Sequence, residues 1–109
     1  MNAGQKNTDY INVVIIEPDK APRRAWIKND LETLQGIVGG YIECVSCPPK
    51  CCLIVNEEGL LMGLPFNKTM ASIGLYLAGT VIIAGVGGED FISAPIRTMI
   101  KNGERRLYV

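Results

Sequence analysis

Cys52-Leu-Ile-Val-Asn-Glu-Glu-Gly-Leu-Leu-Met-Gly-Leu-Pro-Phe-Asn-Lys-Thr69 joins a strong strand to the densest run of turn-forming and hydrogen-bonding residues in the chain. It reads as two short strands, 52–56 and 60–63, closed through Asn56-Glu57-Glu58-Gly59, where the glycine supplies the positive φ of a four-residue loop. Leu64-Pro65-Phe66-Asn67-Lys68 follows as a polar loop. With Tyr41-Ile-Glu-Cys-Val-Ser46 as a preceding strand that breaks at Pro48-Pro49, residues 41–63 read as a three-stranded meander.

Outward from this meander, Tyr10–Ile16 is β-branched and suits a buried strand, stopped by Glu17-Pro18-Asp19. Arg23–Lys28 alternates, with Arg24, Trp26 and Lys28 on one face, and its short link to the first strand predicts an antiparallel hairpin with the charged strand near an edge. Asn29-Asp30 offers a cap for a helix to about Val38, buried along Leu31, Leu34 and Val38 and ended by Gly39-Gly40. Thr69 to Ile73 suits one helical turn. Residues 79–84 suit a central strand, Gly85-Val-Gly-Gly88 a turn, and 94–102 a final helix capped by Ser93, with 104–109 as a short edge strand or a crossing to a partner. The order β-β-α-β-β-β-β-α predicts an α+β domain over 10–109: a mostly antiparallel sheet with helices packed on one face, behind a mobile leader at 1–9.

Composition narrows the function. Lysine plus arginine number 11, as do aspartate plus glutamate, so no overall field draws in DNA, RNA or an anionic membrane. No apolar run approaches the roughly 20 residues of a membrane-spanning helix, and the first residues lack a signal-peptide core, which predicts a cytoplasmic protein. The chain contains no histidine. Serine–histidine and cysteine–histidine nucleophile systems, imidazole zinc sites and a histidine general base are thereby excluded, and an enzyme is disfavoured.

Several groupings invite a chemical reading beside a plain one. Cys44, Cys47, Cys51 and Cys52 contain a C-x-x-C, yet alternation sends Cys44 and Cys47 to opposite strand faces, so reduced thiols are favoured over zinc or a redox pair. Gly85-Val-Gly-Gly-Glu-Asp90 lacks the lysine and serine or threonine of a Walker loop and carries carboxylates where phosphate would sit, which favours a turn. Arg97, Lys101, Arg105 and Arg106 form either a solvated basic face or an anion-binding strip. Glu57-Glu58 at a hairpin tip points to water rather than to catalysis. Asn67 and Lys68 suit a ligand equally with a helix cap and a solvent-facing lysine.

Three blocks also carry a resemblance: Asp30-Leu-Glu-Thr-Leu-Gln-Gly-Ile-Val-Gly-Gly-Tyr-Ile-Glu43, Asn56-Glu-Glu-Gly-Leu-Leu-Met-Gly-Leu-Pro-Phe-Asn-Lys68 and Leu77-Ala-Gly-Thr-Val-Ile-Ile83. In this order they resemble an uncharacterised family of small proteins encoded mainly by bacteriophages, plasmids and other mobile elements, a domain of unknown function, over about residues 11 to 93. The cysteine cluster is not part of that pattern, and Lys68 stands where it has arginine. The swap keeps charge and loses bidentate geometry.

The resemblance implies a mobile-element setting inside a bacterial host cell. With histidine absent and no evident catalytic system, the leading expectation is an accessory protein that sequesters a small nucleotide-derived ligand, of cyclic or ADP-ribose type, without turnover. Neither metal nor cofactor is expected, and a homo-oligomer interface is within reach of the chain. The expected pocket gathers Gly40, Pro65, Asn56, Glu58, Asn67 and Lys68, with Tyr41 or Trp26 to stack. The alternatives are a protein-interaction module that blocks a host defence or restriction factor through a sheet edge and the Arg97–Arg106 strip, and a small nucleotide-processing enzyme.

Overall fold

The computed structural model describes residues 9–47, 51–88, 90–95, 99–100 and 107–108. Strands β1 (Tyr10–Ile16), β2 (Arg23–Lys28), β3 (Ile42–Cys47), β4 (Cys51–Asn56), β5 (Val81–Gly87) and β6 (Asp90–Ile92) form a six-stranded antiparallel sheet. Its order is β2-β1-β5-β4-β3, and β6 lies against β5 beyond the end of the β1 pairing. The β1–β2 hairpin and the central place of residues 81–84 agree with the sequence reading. A separate two-stranded ribbon pairs β7 (Met99–Ile100) with β8 (Leu107–Tyr108). No helix among the described residues is long and apolar enough to cross a membrane.

Period-two alternation gives the sheet two apolar faces. Ile11, Val13 and Ile15 of β1 join Cys52 and Ile54 of β4 and Ile82 and Ala84 of β5 on one face, covered by Leu34 and Val38 of helix α1 (Leu31–Val38). Val14 and Ile16 join Cys51, Leu53, Val55, Val81 and Ile83 on the other, where Met70 of the short helix α2 (Lys68–Ala71) packs with Ile73, Leu75 and Leu77. The helices thus lie on opposite faces, which corrects the expected one-sided arrangement. A strand buried on both faces reads as a continuous apolar run, and β4 and β5 do so.

Helix α1 starts where Asp30 accepts a hydrogen bond from the Thr33 amide at 2.8 Å and ends at Gly39, whose φ of 83° closes the turn. Leu31, expected inside, is 56% exposed.

Two further expectations change. Residues 60–63 are a compact turn rather than a strand: the amides of Met62, Gly63 and Leu64 donate to the carbonyls of Glu58, Leu60 and Gly59, which closes the chain on itself in place of a ladder. β4 pairs instead with β5, and 41–63 is a hairpin followed by a protruding loop. The final helix also gives way, since Met99–Ile100 is a strand; the remainder, at 96–98 and 101–102, lies outside the described residues. The Ser93 hydroxyl, foreseen as its cap, accepts from the Asn12 amide, the Ala94 amide donates to Asn12 O, and Arg24 donates to the carbonyls of Ala94 and Pro95. Residues 93–95 are bound to β1 and β2 by the groups that would begin a helix. Finally, Gly85–Gly87, expected as a turn, continues β5 alongside β6.

Candidate functional site

Two buried asparagines frame the end of the sheet where β1 and β4 finish and β3 and β5 begin. Asn56, the last residue of β4, donates from Nδ2 to the Val38 carbonyl at 3.1 Å, and its Oδ1 accepts from the Glu58 amide at 2.8 Å. The first bond ties β4 to the end of α1, and the second sets the turn into the protruding loop. A Cβ on Gly40 would lie 2.9 Å from Asn56 Nδ2, so a glycine permits this approach.

Asn67 has no solvent-accessible surface. Its Oδ1 accepts from the Met70 amide at 3.1 Å as the N-cap of α2, while Nδ2 donates to Ile16 O at 2.9 Å and Gly79 O at 3.0 Å. Both amide donors are engaged by the chain itself, and the side chain locks α2 to β1 and to the approach of β5.

Between these brackets lies a cleft of about 320 Å³. Val55, Leu60, Leu61, Tyr76, Leu77 and Ala78 supply its apolar wall, and Glu43, Glu57 and Glu58 supply carboxylates. Gly59 lets the loop close on the 76–78 segment, since a Cβ there would sit 2.9 Å from the Ala78 carbonyl oxygen. The loop presents Leu60, Leu61 and Met62 at 66%, 85% and 54% exposure, with Tyr41 and Tyr76 also exposed nearby in the fold. Leu60, Leu61 and Met62 are thus three consecutive exposed apolar side chains on an internally hydrogen-bonded loop. Among the described lining residues there are three carboxylates and no lysine or arginine, so that lining carries net negative charge.

The expected site residues divide accordingly. Asn56 and Glu58 line the cleft, Gly40 backs Asn56, and the Tyr41 carbonyl accepts from the Glu57 amide. Pro65 is exposed and its carbonyl accepts from the Gly79 amide, while Lys68 pairs with Asp19 at 3.2 Å in solvent and does not line the cleft. Trp26 is exposed on β2, at the opposite edge of the sheet from β3. Arg97, Lys101, Arg105 and Arg106 lie outside the described residues.

Glu43, Leu60, Leu61, Tyr76 and Leu77 were not foreseen as site residues. The available signal was the unalternating Leu60-Leu61-Met62 beside two glutamates. Cys51 and Cys52 are buried on opposite core faces and Cys44 is exposed; among the described residues no group of three or more cysteine, aspartate or glutamate side chains is arranged to hold a metal ion.

A family model described as a domain of unknown function, DUF3846, matches residues 11–104. No curated protein and no solved structure matches the chain.

Proposed function

The chain belongs to the DUF3846 family, a domain of unknown function, and from that premise we propose that it is a non-catalytic binding module whose cleft holds a segment of a partner protein. The observation that carries this reading is the union of an exposed apolar loop, Leu60-Leu61-Met62, with an apolar cleft rimmed by Glu43, Glu57 and Glu58. An apolar anchor fits the wall, and a lysine or arginine beside it answers the carboxylates. In the mobile-element setting implied by the sequence resemblance, the partner is a host defence or restriction factor.

A second reading, sequestration of a small nucleotide-derived ligand, is favoured by size, since about 320 Å³ falls within the range of small-molecule pockets. Charge weighs against it, because phosphates would meet carboxylates with no cation among the described lining residues.

Selection of a displayed library of unstructured twelve-residue peptides against the full chain tests the first reading. Enrichment of an apolar residue next to lysine or arginine, with binding that weakens as salt rises, is the expected result. An empty selection, together with intact cyclic or ADP-ribose-type nucleotide released on heating the protein after incubation, would replace the first reading by the second. Chemically altered nucleotide would instead reveal an enzyme.

A further inference from the structure

The two borders of the sheet are protected unequally. β2 carries Arg23, Arg24 and Lys28 behind Pro22, features that discourage another strand from adding. At the other border, Ile42-Glu-Cys-Val-Ser46 contains no proline, lysine or arginine, and β3 pairs with β4 alone among the described strands.

One hydrogen bond identifies the backbone groups on that border. The Glu57 amide donates to Tyr41 O at 2.8 Å, one step beyond the Ile42–Asn56 register, which makes 41 and 57 a hydrogen-bonded pair. Bonded and non-bonded pairs alternate along an antiparallel ladder. Glu43 and Val45 therefore turn their N–H and C=O groups toward β4, whereas Ile42 and Cys44 turn theirs outward. The Glu43 side chain stands on the cleft wall beside Val55, so the outward row borders the cleft mouth.

We propose that the partner segment docks on β3 as an added antiparallel or parallel strand, hydrogen-bonded to Ile42 and Cys44, with alternate side chains entering the cleft. The inference rests on the protein-binding reading of that cleft. Main-chain bonds hold the segment, and the cleft selects its sequence: a basic side chain meets Glu43, and an apolar one at the next position on the same face meets Leu60 and Tyr76. A second copy of the chain is a poorer occupant, because two-fold pairing through β3 brings one acidic rim against another.

Amide hydrogen exchange of the full chain, alone and with the tightest peptide from the library selection, tests this mode. Peptide binding is expected to slow exchange at Ile42 and Cys44 by about tenfold or more, with smaller changes at Glu43 and Val45, whose amides are already in the ladder. Cys44→Pro removes one outward N–H without removing a bond to β4, and is expected to weaken peptide binding by about tenfold. Its thermal midpoint checks that the fold survives, and the exchange measurement on the unaltered chain stands if it does not. Peptide binding with unchanged exchange at Ile42 and Cys44 overturns strand addition while leaving the cleft reading intact. Failure of every peptide to bind overturns both. Protection of these amides that grows with protein concentration, without peptide, assigns the edge to a second copy and also overturns the proposal.

Discussion

Replacing Asn67 by alanine removes an amide that the fold uses completely on its donor side. The loss of the cap on α2 costs about 1 kcal/mol. Ile16 O and Gly79 O, each receiving a bond of 2.9–3.0 Å from Nδ2, lose a buried donor, at about 1 kcal/mol or more apiece. The sum, about 3 kcal/mol, is a large part of the roughly 5–15 kcal/mol that holds a domain of this size. Urea unfolding should show a midpoint lowered by roughly 2 M with an unchanged slope. Asn67→Asp sharpens the test: it keeps the acceptor for the Met70 amide and sets a carboxylate oxygen against two carbonyls. At neutral pH it should be less stable than the alanine variant. The folded state raises the pKa of that new carboxyl above its unfolded value, so the deficit should shrink as pH falls toward about 4. A loss below about 1 kcal/mol for Asn67→Ala, or an aspartate variant as stable as the parent at neutral pH, would refute the bracing role.

Leu61 is 85% exposed, so Leu61→Ser should change stability by less than about 0.5 kcal/mol while weakening the selected peptide about tenfold; calorimetric titration and thermal melting separate the two effects. A Cβ at Gly85 would run into the Ser93 carbonyl oxygen and come within 3.0 Å of Ile92 Cγ1, so Gly85→Ala should cost about 1–3 kcal/mol and speed amide exchange in β6 ahead of the rest of the sheet. Hydrogen bonds from Thr33, with a smaller contribution from Lys28, hold the Asp30 carboxyl below its ordinary 3.8. Folding therefore favours the ionised form, and the stability it adds is present above 3.8 and is lost as pH falls through the lowered value. Asp30→Asn, which keeps the cap acceptor, should flatten the acid limb of a stability–pH curve; Glu17, lowered by Lys20 and Arg23, supplies a further part of that limb.

Strand content was legible wherever burial imposed a pattern. β1 and the start of β5 are β-branched runs that no amphipathic helix would contain, and the basic alternation of β2 marks a border strand. Misreadings fell where the sequence offers two uses for the same group. Ser93 before Pro95 has the form of a helix start, but a hydroxyl caps a helix and completes a neighbouring strand with the same oxygen, and Asn12 claims it. Leu60-Leu61-Met62 has the apolarity of a strand without its alternation, and the amides of Met62, Gly63 and Leu64 bond within the loop. Placing the helices on two faces required knowing that α1 links the β2 border to the β3 border, whereas α2 returns to the centre between β4 and β5. Sheet order carries that information, and local propensity does not.

The asparagines show why a site is harder to read than a fold. A buried bracket and a ligand-reading group need the same chemistry: a short side chain with two donors and an acceptor, beside turns that hold it still. Asn56 and Asn67 met that description in the sequence, and in the fold both amides bind the chain. The residues left to meet the proposed partner are those the brackets expose. Asn56 sets the turn that places Glu57 and Glu58 at the cleft, and Asn67 anchors the segment that returns through Tyr76 to Ala78. A substitution at either asparagine would therefore weaken binding by loosening the cleft, so weakened binding does not by itself assign either one to a ligand. Loss of affinity without loss of stability is the signature of a contact residue, and it is expected at Leu61 and Glu43, where exposed side chains line the cleft.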